Sequence, residues 1–150
     1  MSHQIEVTRV IAATPERLYA LVSDLPRMGE WSPENDGGKW LKGATGPAVG
    51  VRFEGANHLG KKKWKTLSII TRADAGKEFA FDVKAAGAKV AGWGFALESS
   101  EGATLVTHYW DDHRNPVIAK LTGMVIGVPD RAEHNRKNME QTLERLAAAL

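Results

Sequence analysis

Apolar and polar residues alternate from Ile5 to Ile11, the two-residue period of a strand with one buried face. The period then changes. Thr14 is placed to cap a helix, Pro15 suits its first position because no helical hydrogen bond is lost there, and Leu18, Leu21 and Val22 follow at helical spacing. Between Asp24 and Gly38 turn formers dominate, which predicts a short helix or loop carrying Trp31. Strand-like segments follow at Lys39 to Lys42, Gly50 to His58, Trp64 to Arg72, Glu78 to Lys84, Val90 to Glu98 and Ala103 to His113, mostly joined as hairpins. The chain closes on a long helix: Pro129 and Asp130 start it, Glu133 stands at capping-box spacing, and Met139, Leu143, Leu146 and Leu150 recur at helical period.

This order, one strand, short helices, about six antiparallel strands and a long helix, predicts an α+β fold. The sheet is expected to be strongly curved and wrapped around the last helix. Parity places Phe79, Phe81 and Val83 on one face of their strand, Trp93, Phe95 and Leu97 on one face of the next, and Val106, His108 and Trp110 likewise. Gly92 and Gly94 alternate with those aromatics and mark bending or close backbone approach. Asn115 to Gly127 reads as a short helix or partly helical loop. Its Val117, Ile118, Leu121, Met124, Val125 and Ile126 either pack on the sheet or form a lid hinged at Gly123 and Gly127.

With 150 residues and 43% hydrophobic content, a single domain over residues 1–150 is expected. Twenty Lys and Arg against eighteen Asp and Glu leave a formal charge of +2, so bulk charge gives no reason to invoke nucleic acid. The absence of cysteine excludes disulfides, thiolate metal sites and thiol nucleophiles, and fits a reducing compartment. No basic-then-apolar leader precedes Ile5 and no run reaches the ~20 apolar residues of a membrane span, so a cytoplasmic location without stable membrane insertion is expected.

Several segments together carry a family likeness. They are Thr14-Pro15-Glu16-Arg17-Leu18-Tyr19 with Asp24 and Trp31, Gly50 through Asn57, Trp64, Phe79-Ala80-Phe81, Trp93-Gly94-Phe95, and Thr104 through Thr107. In order and spacing the chain resembles the START-like, Bet v 1-like superfamily, in its polyketide cyclase/dehydrase and lipid-transport branch. The resemblance implies a helix-grip fold, in which a curved antiparallel sheet of about seven strands grasps the C-terminal helix, with two short helices after the first strand. It also implies a space for an apolar ligand in many members. Carriers, receptors, and aromatase and cyclase enzymes share this fold, which therefore does not choose among them.

Candidate chemistry lies in the aromatic and polar residues of the strands. Trp31, Phe53, Phe81, Trp93, Phe95 and Trp110 are expected to supply apolar surface for a small hydrophobic molecule, either lining a pocket or filling the core. Asn57 shares a face with Phe53 and His108 with Trp110, so each is a candidate for one orienting hydrogen bond to a ligand carbonyl or hydroxyl. If the chain is instead a cyclase or dehydratase, His108 is the first candidate acid/base. A third reading is an interaction domain whose cavity is filled by side chains. No cofactor and no metal are expected: on a strand His108 and Asp112 stand ~13 Å apart, too far to share an ion. Asp111, Asp112, His113 and Arg114 read as a charged strand end, and Lys61 to Lys65 as a solvated hairpin. A homodimer stays open.

Overall fold

The computed structural model describes residues 3–85, 87–117, 120 and 131–150. Strand β1 (Ile5–Ile11) leads into helix α1 (Pro15–Val22) and a 3-10 helix (Leu25–Glu30). Strands β2 (Asn35–Trp40), β3 (Arg52–Leu59), β4 (Lys62–Asp74), β5 (Glu78–Ala85), β6 (Ala88–Ser100) and β7 (Ala103–Asp112) follow, and helix α2 (Arg131–Ala148) ends the chain. All seven strands form one antiparallel sheet in the order β1-β7-β6-β5-β4-β3-β2. From β2 onward each strand pairs with the next. β1 alone lies at the far edge, because α1 and the 3-10 helix carry the chain across before β2 begins.

Local chemistry explains the first helix. Thr14 Oγ1 accepts the Arg17 amide at 3.2 Å, Pro15 occupies the first turn, and Leu18 and Val22 are buried. β2 departs from expectation, running over Asn35–Trp40 instead of Lys39 to Lys42. The turn formers Asn35 to Gly38 belong to the strand because it bulges there: the register slips between Asn35 and Gly38, and Gly37 and Gly38 have φ of +84° and +152°. Gly38 also lies so close to the Glu54 carbonyl and the Phe53 ring that no Cβ would fit. Beyond the strand, Lys42 takes φ +53°.

Further register shifts, between Ile70 and Arg72 and between Val83 and Lys84, interrupt regular pairing, and irregularities of this kind increase local twist. α2 packs chiefly on β1 and β7. Leu18, Phe79, Val106 and Leu146 are wholly buried in the core formed by α1, α2 and the sheet, where Met139 and Leu143 join them. The expected helix or lid running to Gly127 and the Pro129-Asp130 helix start lie mostly outside the described residues. Val117, expected either to pack on the sheet or to belong to a lid, is 69% exposed.

On the convex face the Tyr109 ring lies directly over Gly94, leaving no room for a Cβ there. His3 stacks on that ring at 3.7 Å and the Tyr109 hydroxyl donates to Glu78 at 2.6 Å. Gly94 therefore serves close approach of an outer aromatic, while its neighbours Trp93 and Phe95 face inward.

Candidate functional site

A cavity of about 720 Å³ lies between α2 and the concave face of the sheet. Pairing across the ladder decides which side chains meet there. Phe81 is opposite Trp93, Trp93 opposite Trp110, and Phe95 opposite His108, and paired residues project from the same face. Phe53 and Asn57 border the cavity from β3, and Trp31 does so from the position after the 3-10 helix. All eight residues singled out in the sequence thus border one space.

The wall made by β6 and β7 is aromatic. The Trp93 and Trp110 rings are tilted at 44° with centroids 6.2 Å apart, and His108 lies flat on Phe95 at 3.9 Å with 2° between the planes. His108 is only 5% exposed. Its Nδ1 is 2.8 Å from the Gly94 carbonyl oxygen. A carbonyl only accepts, so Nδ1 carries the hydrogen and donates it. Burial, the dominant influence, pulls the imidazole pKa down to about 4 against the opposing pull of the Gly94 bond. Near neutral pH the ring is uncharged, with its lone pair on Nε2. Asn57 is held differently: its Nδ2 donates to Thr66 Oγ1 at 3.1 Å, across the β3–β4 pair.

The opposite wall escaped the sequence reading. Arg131, Asn135, Asn138 and Thr142 of α2 border the cavity at spacings of four, three and four, one continuous helix face. The signal that would have found them is this polar stripe at helical period, running beside the apolar Met139. Arg131 Nη2 donates to both Glu34 oxygens at 2.9 and 3.0 Å, and Asn138 Nδ2 donates to Glu34 at 2.9 Å, tying the segment before β2 to the helix. Asn135 is 1% exposed, and its Oδ1 lacks a hydrogen-bond partner among the described residues.

The remaining charged residues sit where solvent meets the fold. Lys62, Lys63 and Lys65 are exposed at the cavity rim near the start of β4, just past the turn that holds Lys61. At the end of β7, Asp112 pairs with Arg114 at 2.9 Å and Asp111 with His3 at 2.7 Å. Among the described residues no three His, Cys, Asp or Glu side chains gather as metal ligands.

A family model described as polyketide cyclase/dehydrase and lipid transport matches residues 2–150. The chain belongs to this family. No curated protein matches the chain. A polyketide cyclase-like protein from Corynebacterium glutamicum, solved by NMR, is 27% identical, with 97% of this chain and 86% of that one covered and a TM-score of 0.58. The Aha1 dimer from Colwellia psychrerythraea is 16% identical, with 100% and 96% covered and a TM-score of 0.67. The di-domain aromatase/cyclase StfQ of the steffimycin biosynthetic pathway is 12% identical, with 96% of this chain but 49% of that one covered and a TM-score of 0.73. The last two likenesses establish the shared helix-grip fold and nothing of chemistry. Among the described residues of this family member, no helix is long and apolar enough to cross a membrane.

Proposed function

We propose that this family member binds a small hydrophobic molecule in the cavity between the sheet and α2. The observation that carries the reading is the cavity itself, about 720 Å³ with an aromatic wall on β5 to β7 and a polar stripe on the facing helix. An apolar ring gains from leaving water against Trp93, Phe95 and Trp110, while the few polar groups around it fix its orientation. A space of this size also speaks against an interaction domain filled by its own side chains.

The second reading, a cyclase or dehydratase, draws on the family description and on the fold shared with StfQ. It requires an acid/base group, and His108 fits that role poorly. A general base works best with a pKa near the working pH, whereas burial holds this imidazole near 4. Nor does it have an acidic hydrogen to give from Nε2, since the one hydrogen of the neutral ring is committed to Gly94. Binding without turnover, as by a carrier or receptor, is the reading these facts support.

Native mass spectrometry of gently purified protein, followed by organic extraction, tests it. The expected result is a retained apolar metabolite that Trp93→Ala releases while the fold persists. A protein that retains nothing and binds no apolar probe overturns the proposal. Single-turnover kinetics on a bound compound, with loss of ~10²–10⁴-fold in His108→Gln, would favour the enzyme instead.

A further inference from the structure

His108 is built into the sheet in a way that leaves it one kind of hydrogen bond to offer. Its ring is clamped flat against Phe95 and flanked by Trp93 at 5.7 Å, so the imidazole plane is held between aromatic neighbours. Nδ1 donates to the Gly94 carbonyl, which selects the tautomer. Nε2 has no hydrogen-bond partner among the described residues, and the enclosed polar atoms without partners are others, Asn135 Oδ1 among them. Among the described residues Nε2 is therefore an open acceptor, on a residue that borders the cavity.

We propose that Nε2 of His108 accepts a hydrogen bond from a hydroxyl group of the bound molecule, so that the cavity selects hydroxylated apolar rings over the corresponding ketones. The inference rests on the binding function proposed above and deepens it by naming the chemical class of the ligand. A hydroxyl donates to the lone pair. A ketone oxygen at the same place sets acceptor against acceptor and leaves both without a partner, which is the situation in which buried sites discriminate strongly. The imidazole escapes by protonation only in acid, because burial holds its pKa near 4.

Tetralin, 1-tetralol and 1-tetralone share one bicyclic skeleton and differ only in the group at one carbon. Their affinities for the intact protein can be followed through quenching of its tryptophan fluorescence and checked by calorimetry at pH 7. The expected result is 1-tetralol binding at least about tenfold more tightly than 1-tetralone. In His108→Phe, which keeps a flat ring but has no acceptor, the two are expected to fall within about twofold of each other. Should that variant not fold, the wild-type ratio still decides. His108→Gln, whose amide turns either oxygen or nitrogen to the ligand, is then expected to accept both compounds.

Equal or tighter binding of the ketone by the wild type overturns the inference, as does a preference for the alcohol that persists in folded His108→Phe. Tetralin binding without any preference for the alcohol overturns the hydroxyl inference alone and leaves the cavity reading standing. Failure of all three compounds to bind overturns both.

Discussion

One pair of strands, β6 and β7, passes from a filled region of the protein into a hollow one. At Leu97 and Val106, which face each other, the sheet is covered and the side chains are buried in the core. Two residues along, Phe95 and His108 border the cavity, and at Trp93 and Trp110 the cavity borders both. α2 changes in step. Its later turns bring Leu143 and Leu146 to the core, and its earlier turns bring Arg131, Asn135 and Asn138 to the cavity. The filled region owes its stability to contacts on all sides. In the hollow region the half-buried Trp93 leaves part of its ring facing the cavity, so dispersion contacts are missing there and a ligand can supply them.

The largest effect expected from this contrast is in the filled region. Phe79→Ala should cost about 3–5 kcal/mol of unfolding free energy, measured by urea denaturation, because its ring is wholly enclosed. Affinity for apolar probes among the molecules that stay folded should be unchanged. A loss of affinity without a loss of stability would dissolve the distinction between the two regions.

At their boundary the expected effect is a pH dependence. His108 is held near pKa 4 in the folded protein and returns to ~6.5 when unfolded, so below pH 6.5 the unfolded chain binds a proton that the folded one does not. Its stabilising contribution is present above pH 6.5 and drains away as pH falls toward 4, by about 3 kcal/mol at pH 4. Carboxylates add their own acid dependence, so the check is a comparison: His108→Phe should lose less stability than wild type between pH 7 and pH 4. Parallel curves for the two proteins would show that the imidazole is not buried in its neutral form.

In the hollow region Trp93→Ala should cost less than about 2 kcal/mol, since a half-buried ring beside a void has few contacts to lose. Probe affinity should fall more than stability. The smallest effect concerns the tie at the cavity's polar side, where Glu34→Gln weakens the bidentate contact with Arg131 and should cost about 1 kcal/mol. A shift in midpoint far above that would mean that the segment before β2 depends on this contact for its folding.

Much of the fold was legible because its signals are local. Period-two stretches with glycine-bearing turns marked six strands near their true bounds, and Thr14, Pro15 and Leu18 announced α1. β2 was not legible, because Asn35 to Gly38 have the composition of a turn and adopt a strand only through a bulge pressed against β3. The site divided in the same way. The aromatic wall could be read from strand parity, whereas the polar stripe of α2 looks like any solvent-facing helix surface. Periodicity reports which residues share a face and says nothing of whether water or an internal cavity lies beyond it.

The sequence by itself therefore determined most of the segments that become strands and helices, β2 excepted, and which residues share a face; its motifs in their order carried the likeness to the family. The segments and their faces follow from side-chain period, capping and turn chemistry, each decided within a few residues. Only the tertiary structure decided that the eight candidate residues meet at one cavity, that Gly94 makes room for Tyr109 on one face of the sheet, and that the Gly94 carbonyl sets the tautomer of His108. Each of these depends on groups far apart in the chain being brought to within a hydrogen bond or a van der Waals contact, and on water being removed around an imidazole. Neither distance nor desolvation is encoded at any single position; both arise only when the sheet has curled around its helix.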